Sequence, residues 1–202
     1  MKLLFITGNK GKMDEISHFL KNSGIKLIHK HLDLVEPRSE SLTEIAKEKA
    51  KDAQKKIKTP FSNSMENRKA ENKHNEANGF IVDDSGLFID CLNGFPGTNS
   101  NWVFKKIGYQ GILKLLEGKK DRTAAFKCAI ALSIPGKEIV IFEGIEHGTI
   151  AREEQGISGF GYDPIFIPDG NTKTWGTAPG IKNIHSHRQQ AIMKMLQWIK
   201  EN

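Results

Sequence analysis

Cysteine is scarce in this chain: Cys91 and Cys128 are the two in 202 residues. Two cysteines in apolar surroundings, at no metal-ligand spacing, exclude a disulfide framework and a zinc module. They read as reduced core residues of an intracellular protein. No apolar run approaches the roughly 18 residues that a membrane-spanning helix needs. Met1-Lys2 passes straight into a β-like run, so no signal peptide is expected and the expected location is the cytoplasm. The P-loop pattern Gly-x-x-x-x-Gly-Lys-Ser/Thr is missing as well. Apolar residues make up a modest 38%, partly because a polar stretch at about 59–78 dilutes them. The rest can still bury a sizeable core, and the length implies one domain over 1–202, with room for two lobes.

The charge has a sign. Thirty basic residues against 24 acidic ones give +6. That suits a polyanionic partner, nucleic acid or a small phosphorylated molecule, and it suits simple solubility equally well. The densest signal is Gly79-Phe80-Ile81-Val82-Asp83-Asp84-Ser85-Gly86-Leu87. An apolar run climbs to two adjacent carboxylates and then meets Ser-Gly, which predicts a buried strand ending in an acidic turn. Neighbouring acids repel, and burial raises their cost. A cation removes that penalty, and Mg²⁺ takes such oxygen ligands. An exposed Asp-Asp-Ser-Gly turn is the plainer alternative.

The flanking pattern is α/β. Leu3, Leu4, Phe5 and Ile6 predict a first strand covered on both faces. Thr7-Gly8-Asn9 turns the chain into a helix over about 10–22, capped by Asn9 and closed by Gly24. A second strand is expected over 25–29, and a helix over 43–58 with Ile45, Ala46, Lys49, Ala50 and Ala53 on one side. Thr59 to Asn78 reads as an inserted mobile loop or polar hairpin arm. Leu87 to Asp90 predicts another strand, followed by dense turn chemistry at Asn93-Gly94-Phe95-Pro96-Gly97. Two short helices divided by Gly108 come next. Long strands over 123–134 and 138–145, joined at Pro135-Gly136, and an extension over 148–152 predict a mixed sheet. Gly159-Phe160-Gly161-Tyr162-Asp163-Pro164 combines close backbone approach with aromatics that can stack on a flat ligand. A final helix starts at Ser186 with a capping-box pattern.

Lys10 and Lys12 crowd the positive end of the first helix, and His187 and Arg188 that of the last, with Lys182 just upstream. Helix N-termini favour anions, so the recurrence suggests one polyanion between the two helix starts.

Together these stretches resemble the inosine/xanthosine triphosphate pyrophosphatase family. Thr7-Gly8-Asn9-Lys10-Gly11-Lys12 with Glu15 is similar to the family's opening T-G-N-x-x-K-x-x-E. Asp83-Asp84-Ser85-Gly86-Leu87 resembles its acidic motif. Asn93-Gly94-Phe95-Pro96-Gly97, Gly159 to Pro164, and Lys182-Asn183 with Ser186-His187-Arg188 resemble three further motifs in the same order. The resemblance covers nearly the whole chain apart from the insertion. Two departures stand out: Asn99, where the family often has tyrosine, and Trp175-Gly176-Thr177, upstream of the Lys-Asn motif.

The resemblance implies an elongated two-lobed α/β fold, with a long mixed sheet flanked by helices and a nucleotide cleft between the lobes. It implies hydrolysis of ITP, dITP and XTP to the monophosphate and pyrophosphate. Thr7, Gly8, Asn9, Lys10, Gly11 and Lys12 would hold the triphosphate, with Lys12 the main cation. Asp84 would hold Mg²⁺ and serve as general base, with Ser85 near the phosphates. Glu36 would complete the metal site, with Glu40 as the alternative. Phe160, Gly161, Tyr162 and Asp163 would contact the base, and Lys182, His187 and Arg188 would select its 6-oxo group and bind nucleotide. A homodimer is implied, with no membrane or nucleic-acid partner. A competing reading, a non-catalytic nucleic-acid binder, rests on the basic charge and lacks a recognisable motif.

Overall fold

The structure, a computed structural model, describes residues 1–57 and 77–202. Almost all of the insertion expected over 59–78 therefore lies outside the described residues. Among the described residues seven strands form one mixed sheet: β1 (Lys2–Ile6), β2 (Lys26–Lys30), β3 (Gly79–Ile89), β4 (Pro96–Gly97), β5 (Thr123–Ser133), β6 (Val140–Ile150) and β7 (Phe166–Pro168). Their order is β2-β1-β3-β5-β6-β7, with β4 paired to β3. β1 runs parallel to β2 and β3, and the remaining pairs are antiparallel.

Helix α1 (Lys10–Leu20) follows β1, as the sequence predicts. The Asn9 side chain accepts the Lys12 amide and so caps one of the helix's free N–H groups. Helix α2 (Leu42–Lys56) is capped by Ser41. Helix α3 (Ser100–Leu115) bends at Gly108, whose φ of 62° suits glycine and divides the segment as expected. A short α4 (Pro179–Ile184) precedes α5 (His187–Glu201), capped by Ser186.

Three apolar clusters hold these layers. Ile16 and Leu20 of α1 and Ala191, Ile192 and Met195 of α5 pack with Leu3, Phe5, Ile81 and Ile130 on one face of the sheet. Ala46, Ala50 and Ala53 of α2 pack with Leu4, Ile6, Phe80 and Val82 on the other. Small alanines let α2 lie close to the strands. The third cluster gathers Val103 and Ile112 of α3 with Leu87, Ile89, Phe166 and Trp175 beyond the acidic pair. Two lobes, as expected, share the long strands.

Two expectations need correction. β3 does not end at the acids; it continues through Ser85 and Gly86 to Ile89. Likewise β6 is one unbroken strand rather than a strand with a separate extension. Gly86 is required by close approach, not by a turn. A Cβ there would lie 2.1 Å from the Gly97 carbonyl oxygen on the neighbouring β4. Gly86→Ala is expected to cost about 1–3 kcal/mol through forced displacement of β4, measured as a lower urea midpoint at unchanged m-value.

Candidate active site

Continuity of β3 decides where its acids point. Successive side chains of a strand face opposite sides, so Asp83 and Asp84 do not form a pair around one ion. Asp83 faces α1 and α5. Its Oδ1 is 3.1 Å from Lys12 Nζ, its Oδ2 is 3.1 Å from Arg188 Nε, and Cys128 Sγ lies 4.0 Å away. Asp84 faces α2, where its Oδ1 is 2.5 Å from Lys49 Nζ. Lys49 also reaches Glu36 Oε2, at 2.8 Å.

Arg188 is the hub of the first side. It is 1% exposed. Its Nη1 donates to Glu15 Oε2, its Nη2 to Ser85 Oγ at 2.9 Å, and its Nε to Asp83. Ser85 stands two residues beyond Asp83 and so on the same face. Lys182 completes the row. Its Nζ is 2.5 Å from Glu15 Oε1 and 2.8 and 2.7 Å from the two Asp163 oxygens. The same ammonium lies 4.4 Å from the Phe160 ring centroid and 5.0 Å from that of Trp175, a cation–π arrangement.

Phe160 connects the start of α1 to the loop at Gly159 to Pro164. Its amide donates to Asp163 Oδ2 at 2.8 Å, and its ring presses on Gly11, where a Cβ would fall 2.4 Å from the ring. Glycine at position 11 thus lets the start of α1 and the aromatic loop touch. Gly161 sits within this loop, and Tyr162 is buried against Phe104, with its hydroxyl donating to the Ser100 carbonyl at 3.0 Å. Tyr162 is therefore a core residue of the loop's base. His187 is buried and stacks on Phe126 with centroids 5.0 Å apart. Its Nδ1, like Trp175 Nε1, has no hydrogen-bond partner among the described residues, an uncommon condition for buried polar atoms.

Protonation follows from these contacts. Burial is the largest influence on Asp83 and works upward, but the charges of Lys12 and Arg188 overcome it and hold the carboxyl below its usual range. Glu15 is likewise lowered, Arg188 and Lys182 outweighing burial. Asp84 goes the other way: burial raises it despite Lys12 and Lys49, with Asp83 adding to the rise. A carboxyl raised in this way is a stronger proton acceptor. The Cys128 thiol is pushed up to about 12, chiefly by burial, and is inert.

Burial, reinforced by Arg188, Lys182 and Lys12, holds the His187 imidazole well below 6.5. The folded ring stays neutral where the unfolded one takes a proton. Its contribution to stability is full above about pH 6.5 and is lost as pH falls, approaching about 1.4 kcal/mol per pH unit. Urea unfolding of wild type and His187→Gln between about pH 7.5 and 5.5 is expected to show that increment of slope in wild type and not in the variant.

The structure brings together Lys12, Ser85, Phe160, Asp163, Lys182, His187 and Arg188 from their distant places in sequence. Thr7, Gly8 and Asn9 form the turn that leads into α1. Lys10 is exposed and joins none of these contacts, and Glu40 is exposed as well; Glu36 is the loop acid that shares Lys49 with Asp84. Cations at the two helix starts are not held in reserve for a polyanion alone. Lys12, Lys182 and Arg188, together with Lys49 of α2, face five carboxylates, Glu15, Glu36, Asp83, Asp84 and Asp163. Sequence reasoning gave no role to Lys49, Glu15, Phe126 or Trp175. Lys49 carried a signal: a lysine on the otherwise apolar side of α2.

Among the described residues no group of three or more His, Cys, Asp or Glu side chains is placed to hold a metal alone. Magnesium characteristically uses one or two carboxylates, completed by water and substrate phosphates. Glu36 and Asp84 fit that habit. Both are oxygen donors, and both already converge on one positive charge.

The family model described as the Ham1 family matches residues 3–198. The dITP/XTP pyrophosphatase of Pyrococcus horikoshii is 38% identical over 203 residues, covering 100% of this chain and 98% of its own. That of Methanopyrus kandleri is 42% identical over 204 residues, covering 100% and 98%. Among solved structures, a HAM1 protein from Coxiella burnetii superposes with a TM-score of 0.78 at 30% identity, covering all of both chains.

Proposed function

The chain belongs to the Ham1 family, and we propose that its cleft removes pyrophosphate from non-canonical purine nucleoside triphosphates. It is a hydrolase that converts dITP, XTP and ITP to their monophosphates. One observation carries the mechanism: β3 places Asp84, with its raised carboxyl, on one face and Asp83, clamped between Lys12 and Arg188, on the other.

We assign the phosphates to the turn at Thr7 to Lys12, where the first amides of α1 and the Lys12 ammonium offer donors. Asp83 positions Lys12 and Arg188 from below. Asp84 accepts a proton from water as its oxygen bonds to the α-phosphorus. The bond from that phosphorus to the bridging oxygen breaks, and pyrophosphate leaves against Lys12 and the backbone donors. Glu36 and Asp84 would hold Mg²⁺, which when bound neutralises phosphate charge and activates water. An excess of carboxylates over cations in the cleft supports a divalent ion, because a polyphosphate would otherwise meet net negative charge.

Phe160 offers a ring to the base, and Gly161 and Asp163 complete the loop beneath it. Lys182 and Arg188 donate to a 6-oxo group and clash with the 6-amino group of adenine, a buried mismatch of about 1–3 kcal/mol. The unpartnered Nδ1 of His187 supports a place for it in the same pocket. The family resemblance further supports a homodimer working in the cytoplasm. No helix among the described residues is long and apolar enough to cross a membrane.

Phosphorus NMR of ITP turnover tests the reaction type. Inosine monophosphate with pyrophosphate is the expected pair. Inosine diphosphate with orthophosphate would place the attack at the γ-phosphorus and refute the assignment.

A further inference from the structure

We propose that Lys49 is a stand-in cation: its ammonium competes with the divalent metal for Glu36 and Asp84, so that the metal and the Lys49 ion pairs exclude one another. This rests on the reading of those two carboxylates as the metal-holding pair.

Lys49 is not a surface lysine that happens to reach an acid. Its side chain is 10% exposed, and its stem issues from the face of α2 that buries Ile45, Ala46, Ala50 and Ala53. Buried lysines are rare unless paired, and this one is paired twice, at 2.8 Å to Glu36 Oε2 and 2.5 Å to Asp84 Oδ1. An ion coordinated by the same oxygens would sit next to the ammonium in a site partly shielded from water, where like charges repel strongly. Lys12 and Arg188 make their ion pairs instead with Asp83, on the opposite face of β3.

A competing lysine has a use. Without it, the metal-free protein would bury Asp84 beside Asp83 with no ion pair, which destabilises a fold. Lys49 keeps the cleft assembled beforehand. It also keeps the metal weakly bound until polyphosphate oxygens arrive to help displace the ammonium.

Mn²⁺ binding to nucleotide-free protein, read as loss of the free-ion electron paramagnetic resonance signal, separates the outcomes. Lys49→Met keeps the stem and removes the charge, and it is expected to bind Mn²⁺ at least about tenfold tighter than wild type. Lys49→Arg, which keeps the charge, is expected to bind no tighter than wild type. Equal or weaker binding by folded Lys49→Met overturns the proposal and leaves the metal reading standing. Mn²⁺ binding unaffected by Glu36→Gln and Asp84→Asn overturns the metal reading and this inference with it. Should Lys49→Met not fold, a crystal structure of wild type with Mn²⁺ decides. Lys49 Nζ is expected more than about 4 Å from Asp84, beyond ion-pair distance. An ammonium still paired to Asp84 beneath a bound Mn²⁺ overturns the proposal.

Discussion

Asp84→Asn is expected to lower kcat by about 10²–10⁴-fold, the range of a lost general base, with the fold intact. Asparagine preserves size and shape on β3, and the strand's pairing with β5 through Asp84 and Ala129 is made by backbone atoms. What disappears is the proposed proton acceptor and one of the two carboxylates at Lys49. Steady-state kinetics on ITP beside a circular dichroism spectrum checks both parts. A folded variant within about threefold of wild type would remove Asp84 from the proton transfer.

Arg188→Met should act on stability as strongly as Asp84→Asn acts on rate. Arg188 is 1% exposed and donates to Glu15, Asp83 and Ser85. Burial disfavours its charge, but Glu15 and Asp83 raise its pKa above the ordinary value. Methionine fills much of the space and leaves Glu15 with Lys182 and Asp83 with Lys12 as their remaining cations. Removing one partner of a buried ion pair costs about 3–5 kcal/mol, a large share of the roughly 5–15 kcal/mol that holds a domain together. Urea unfolding is expected to show that loss, and adding Glu15→Gln is expected to restore part of it. A loss below about 1 kcal/mol would mean that water, rather than Arg188, satisfies the acids.

Much of this arrangement was legible in the sequence because it is local. Leu3 to Ile6 reads as a strand, Asn9 as a cap, Gly108 as a break in a helix, and Ser186 as a helix start. All four stand as read. Failures came where the cause is distant. Ser85-Gly86 looks like a turn until Gly97 is found against it. Gly148 looks like a strand boundary, yet a Cβ there would meet the Ile167 carbonyl oxygen of β7 at 2.2 Å. Lys182 and Arg188 looked like cations awaiting an anion because Glu15 stands at the other end of the chain. The cations misplaced at both helix starts, and then the five motifs of the family resemblance, pointed to α1 and α5 meeting, as they do at Asp83.

In the proposed function, selectivity joins every part of the site, from Asp84 and Lys12 at the phosphates to Lys182 and Phe160 at the base. Pyrophosphate release should therefore be followed from ITP, XTP, dITP, GTP and ATP, each with Mg²⁺ and with EDTA. Release from ITP, XTP and dITP far above that from GTP and ATP, abolished by EDTA, is the expected result. Equal release from all five would contradict selection at the 6-oxo group. No release from any by folded protein would contradict the hydrolytic reading and point instead to a binding role for the basic surface.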